Sequence, residues 1–162
     1  GAVKFAPGIA ARIAGLGQGY PYFVQLIGKQ CVNDANVVGT NLIDDAILDK
    51  VLEDLRSGKA FPTLESAYQR AIGDSDGRQL LLHLLAEQST EQSLFTDEIG
   101  RVVLKKSRQV AEDLDVQFID QLMPRLVEKK YGPVLERVPE RQGTYEFVNP
   151  VLRQYIKLRR IE

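Results

Sequence analysis

Tryptophan is absent from the 162 residues, and cysteine, methionine and histidine are nearly so, at one each. A lone Cys31 cannot form an internal disulfide, which fits a reducing, cytoplasmic setting. One Cys and one His also exclude a Cys/His zinc cluster. No apolar run approaches the ~18 residues that a membrane-spanning helix needs, so no membrane contact is expected. The opening residues Gly1-Ala2-Val3-Lys4-Phe5 lack the apolar length of a signal peptide and an initiator Met, which reads as a cut fragment or a trimmed chain. No Gly-x4-Gly-Lys-Ser/Thr run occurs, so a phosphate-cradling loop is missing. Gly15-x-Gly17-x-Gly19 is glycine-rich, but it follows no strand and lacks the dinucleotide fingerprint. An excess of charge of one sign is lacking too. With 21 Lys and Arg against 22 Asp and Glu, the net charge of −1 exerts no global pull toward nucleic acid.

What is present is an ordinary globular composition, 44% apolar and 27% charged, in a length that suits one domain or two small ones. Ile9 to Ala14 predicts a short helix ended by Gly15. The glycine-rich turn then runs into Pro21, which suits a first helical turn because its missing N–H would be unpaired there anyway. Phe23, Ile27 and Cys31 recur four apart, with Val24, Leu26 and Val32 widening the stripe, so a buried helix is expected to about Ala35. Asn41 reads as the cap of the next helix, with Asp44 and Asp45 in its first turn and Ile43, Ile47, Val51 and Leu55 as its stripe. Thr63 reads as the cap of another, in which Leu64, Ala67, Tyr68, Ala71 and Ile72 face one way. The polar, turn-rich Gly73-Asp74-Ser75-Asp76-Gly77 marks a boundary, giving an all-helical part at 1–73 and a second part at 74–162.

The second part opens with Leu80-Leu81-Leu82 and Leu84-Leu85, apolar nearly all round, as in a central buried helix. Thr96-Asp97-Glu98-Ile99 predicts another helix, with Ile99, Val102 and Val103 inward. Asp115 precedes a third, in which Phe118, Ile119, Leu122, Met123, Leu126 and Val127 keep helical spacing around Pro124. Val134-Leu135-Glu136-Arg137-Val138 and Thr144-Tyr145-Glu146-Phe147 alternate on either side of Pro139-Glu140-Arg141-Gln142-Gly143, which predicts a two-stranded hairpin. Asn149-Pro150 starts a last helix with Val151, Leu152, Tyr155, Ile156 and Leu158 apolar. The expected fold class is mainly α: a small helical bundle, then a winged helix-turn-helix with its hairpin and a closing helix.

Catalytic chemistry finds few candidates. Cys31 and His83 both sit in apolar helical patterns and read as packing. Asp44-Asp45 reads as helix-start charge, and Asp113-x-Asp115 as loop and cap. The residues therefore describe a non-enzymatic binding or regulatory fragment, with no metal ligands.

The turn Gly19-Tyr20-Pro21, the run Tyr22-Phe23-Val24-Gln25-Leu26 and the late run Tyr145-Glu146-Phe147-Val148-Asn149-Pro150-Val151-Leu152-Arg153 carry a resemblance. A helical bundle entered through a Gly-x-Pro turn, followed by a winged helix, resembles the C-terminal half of P-loop ATPases of the STAND and archaeal- or bacterial-type AAA+ classes. That resemblance covers nearly the whole chain. It implies that the bundle is a lid on a nucleotide site, with Gly19, Tyr20 and Pro21 against the adenine. It also implies ATP or ADP with Mg in the full-length protein, none held by this fragment alone, and an N-terminal ATPase core as its partner. Many AAA+ lids place an arginine at the start of this helix to read the γ-phosphate. Here Tyr22 stands there, and a tyrosine brings no positive charge.

For the winged helix, two partners are expected. Between positions 125 and 160, nine basic residues face four acidic ones, a surplus of five. Gln117, Gln121, Arg125, Lys129, Lys130, Arg137 and Arg141 are the residues placed for nucleic-acid or partner contact, Arg141 at the hairpin tip. Against duplex DNA stand Glu112, Asp113, Asp115 and Asp120 at the end of the helix that would enter the major groove. Protein or intramolecular contact is therefore the expected role, with duplex DNA as the alternative.

Overall fold

The structure, a computed structural model, describes residues 2–88, 94–96, 105 and 119–161. Over these it is mainly helical with a small antiparallel hairpin. Contacts divide the chain into two compact units, Gly1–Pro62 with Leu158–Arg160, and Thr63–Lys157 with Ile161–Glu162.

In the first unit α1 runs Ile9–Gly17, α2 Pro21–Val38 and α3 Asp45–Arg56. The four-residue spacing reads directly into burial. Phe23, Ile27, Cys31 and Ala35 of α2 are fully buried, as are Leu48, Val51 and Leu55 of α3, and Phe61 meets Phe23 edge-on at 6.3 Å. Gly15 does not end α1: the helix continues to Gly17 and only Gln18 and Gly19 turn, both left-handed. Gly17 stays inside the helix because it packs on α2, where an added Cβ would overlap the Val24 Cγ2 methyl. At the other end of α2, Gly39 takes the left-handed conformation and its N–H returns to Ala35 O and Asn36 O.

Two expectations for this region are corrected. It is not wholly helical: β1 (Lys4–Phe5) and β2 (Leu42–Ile43) form a short parallel pair. With Leu42 and Ile43 extended, Asn41 lies too early to cap α3. The cap is Asp44, whose carboxylate accepts from Ile47 N at 3.1 Å. Across the unit's surface Arg12 pairs with Asp45 and Asp49, and Lys50 pairs with Asp34 and Asp54. The Arg160 guanidinium pairs with Glu53, and Arg159 donates to the Arg56 carbonyl at 3.0 Å.

The second unit holds most of α4 (Pro62–Ile72), then α5 (Asp76–Glu87), α6 (Ile119–Leu126) and α7 (Pro150–Leu158). The helix α4 begins at Pro62, so Thr63 lies within its first turn rather than before it. It packs with α5 and α7, although the sequence groups it with 1–73. Its Tyr68 is fully buried, the hydroxyl 2.7 Å from His83 Nε2 of α5 and 3.0 Å from the Gln79 amide, the ring edge-on to Tyr155. The turn-rich run shrinks to Gly73 and Asp74, because Ser75 caps α5 by accepting from Arg78 N at 3.1 Å. Pro124 sits in the last turn of α6, and the helix runs two residues past it.

The hairpin is β4 (Leu135–Arg137) and β5 (Thr144–Phe147), and β3 (Leu94–Thr96) adds a third strand on the far side of β5. Thr96 is the last residue of that strand. The helix expected after it, Asp113, Asp115 and Gln117 lie outside the described residues.

Candidate functional site

Two places hold the residues picked out by the sequence. The first is the entry to α2. Gly19 has φ +83, with open space where a Cβ would sit, so glycine is required there by conformation and not by crowding. Tyr20 is extended and half-buried. Its N–H donates to Gly17 O at 2.9 Å, and its carbonyl accepts from Phe23 N and Val24 N. It caps the helix without a side-chain bond, and Pro21 takes the first helical position. Tyr22 is 59% exposed on that first turn. The turn thus presents Pro21 and two aromatic rings, with no cationic side chain between positions 13 and 28.

The second place is the basic surface of the second unit. Arg125 is exposed in the last turn of α6. Gln121 lies one turn earlier in that helix. Lys129 and Lys130 sit together on a 3-10 turn, Lys129–Tyr131, both exposed. The turn is pinned from α4: the Arg70 guanidinium donates to Lys129 O at 2.7 Å and to Lys130 O at 3.1 Å. Its Tyr131 ring is covered by the buried Arg78, 4.2 Å from the centroid, while Arg78 also donates to Ala71 O and Ile72 O at the end of α4. Arg137 and Arg141 are brought together at the hairpin tip, where both line a depression of ≈ 370 Å³. Among the described residues no hydrogen bond or ring contact joins the lysine pair to this arginine pair.

Strand register assigns the hairpin charges to opposite faces. Arg137 lies opposite Tyr145 and holds its guanidinium 5.8 Å from that ring, on the face where Tyr145 and Phe147 are buried. On the other face Glu136 lies directly opposite Glu146. The hydrogen bond to Glu136 is the main cause that raises the Glu146 carboxyl pKa, followed by desolvation and by the Glu136 charge. The pairing was recoverable from the sequence, because any turn centred on Arg141 sets 136 against 146. Arg70 and Arg78 gave no such signal. They read as ordinary helical arginines, and only the folded chain turns their guanidinia onto carbonyls.

The remaining chemical candidates have packing roles. Burial, helped by the Asp34 charge, pushes the Cys31 thiol up to about 11, so at neutral pH it is neither thiolate nor nucleophile. His83 is buried against Tyr68 in the second unit. Asp44 caps α3 and Asp45 binds Arg12. Among the described residues no group of three or more His, Cys, Asp or Glu is arranged to hold a metal, and no helix is long and apolar enough to cross a membrane. No protein-family model, curated protein or solved structure matches the chain.

Proposed function

We propose that this chain is the helical lid and winged-helix portion of a P-loop ATPase of the STAND or AAA+ type, the lid touching adenine and the winged helix making protein or intramolecular contacts. The turn at Gly19–Pro21 carries this reading. It is specified by a left-handed pair and a proline, and it leaves Tyr20 half-exposed and Tyr22 exposed at a helix entry. An uncharged aromatic surface suits stacking on a base and does not reach for a γ-phosphate. The strand order β3-β5-β4 supports the second half of the reading, since a wing is a hairpin on which an earlier strand of the same domain closes.

The test is the reading frame upstream of Gly1 and the nucleotide affinity of the protein it encodes. A phosphate-binding loop is expected there, with Tyr20→Ala and Pro21→Ala each weakening ATP binding. Unchanged affinity in both variants refutes the lid assignment.

Duplex DNA is the second reading, favoured by the exposed Arg125, Lys129, Lys130, Arg137 and Arg141. It predicts binding with a log–log salt slope of several units, abolished by Arg141→Glu. Absence of binding at ~50 mM salt removes it.

A further inference from the structure

The tip of the β4–β5 hairpin is two consecutive four-residue turns. Arg141 N donates to Val138 O at 3.3 Å, closing the first, and Thr144 N donates to Arg141 O at 3.1 Å, closing the second. Both turns are bent by left-handed residues, Glu140 at φ +64 and Gly143 at φ +72. The first has Pro139 at its second position and a left-handed third, the geometry of a type II turn, in which glycine is the favoured third residue. Glutamate is therefore held there at a conformational cost.

The concave side of these turns is the depression lined by Arg137, Arg141, Gln142, Gly143, Thr144 and Glu140. Among the described residues, nothing accepts from the N–H groups of Gln142 or Gly143, and neither Arg137 nor Arg141 has a carboxylate partner. Elsewhere in this unit, Arg70, Arg78 and Arg153 direct their guanidinia to carbonyls. Two guanidinia with no oxygen partner and two adjacent N–H groups with no acceptor, on one concave loop, are the donor set of an anion site.

We propose that the hairpin tip binds a single phosphate monoester, a phosphorylated side chain of a protein partner. The charges around it select a compact anion over a polyanion. An extended phosphate backbone would have to run past the carboxylate of Glu140, which lines the same depression. A monoester dianion needs only the concave side, where Arg137 is steadied on Tyr145 and Arg141 leads into the second turn. The proposal stands apart from the ATPase reading, because every group it uses lies in the hairpin.

The experiment is an amide NMR titration of the whole chain with inorganic phosphate, with N-acetyl-phosphoserine amide, and with a short mixed-sequence DNA duplex. Saturable shifts of the Gln142 and Gly143 amides are expected with the phosphoserine probe. They should be weaker with inorganic phosphate, and N-acetylserine amide should leave them unmoved. Arg137→Gln and Arg141→Gln should each lower affinity roughly ten-fold, the weight of one charge-assisted contact, while amides outside the hairpin stay in place. Glu140→Gly, which removes both the repelling charge and the strained φ, should raise affinity several-fold. Three results would each overturn the proposal: no saturable shift at the tip, equal binding by the arginine variants, or duplex binding at the tip that outcompetes the phosphoserine probe.

Discussion

Gly17 and Gly15 look alike in the sequence, two glycines two residues apart before a turn, and the structure separates them. A methyl on Gly15 meets open space, whereas one on Gly17 meets Val24, a β-branched side chain with little freedom to move aside. Gly17→Ala should therefore destabilise the chain by about 1–3 kcal/mol through overpacking. Gly15→Ala should stabilise it by roughly 0.5–1 kcal/mol, because alanine suits a helix interior better. Thermal melts of the two variants check both signs. Cys31 supplies a second residue-scale expectation. Its thiol titrates near 11 in the folded chain against 9.0 for the ordinary group, so the folded state holds a proton that the unfolded state has released between those values. Stability is then undiminished below about pH 9 and falls as pH rises toward 11. At pH 7 a thiol reagent should label Cys31 only as fast as the chain opens. Rapid stoichiometric labelling of the native protein would contradict its burial.

Among the elements, the hairpin shows how a face is assigned. Alternation predicted that Tyr145 and Phe147 share a side, and both are buried. The same alternation places Glu136 and Glu146 together outside, where two carboxyls share a hydrogen bond. A raised carboxyl pKa contributes stability that is complete at acid pH and is lost as pH climbs through the raised value. Glu146→Gln should remove that decline, leaving a flatter stability profile above the ordinary carboxyl range and a hairpin at least as stable at pH 7. Urea midpoints at pH 4 and pH 7 measure it, and an unchanged pH slope in the variant rejects the pairing. The cap of α3 shows the converse. Asn41 and Asp44 are both good capping residues, and local chemistry cannot choose between them. The choice falls to Asp44 because Leu42 and Ile43 are drawn into pairing with Lys4 and Phe5, a partner far away in sequence.

For the whole chain, what matters is where one unit stops. The turn-rich run after Ile72 is an obvious seam in composition, yet α4 packs forward: Tyr68 bonds His83, and the Tyr155 hydroxyl donates to Glu65. A fragment 63–162 should keep these contacts and give a dispersed amide spectrum. A fragment 74–162 should not, because His83 and Tyr155 lose the side chains that cover them. If 74–162 folded as well as 63–162, the seam at Gly73 would be the true one and α4 an accessory of the first unit.

Composition and spacing alone determined that this chain is mainly helical, which faces of α2 and α3 are buried, and where the hairpin turns. Those properties come from the period of apolar residues, which is local. The tertiary structure alone decided that Gly17 is a packing glycine, that Asp44 caps α3, that α4 joins the second unit, and which of the described arginines stay uncommitted. An apolar stripe states that a face is buried and is silent about its partner. A guanidinium on a flexible stem is equally silent until folding brings carbonyls within its reach. Arg70 and Arg78 find them, Arg137 and Arg141 do not, and the guanidinium donors at the hairpin tip stay open for that reason.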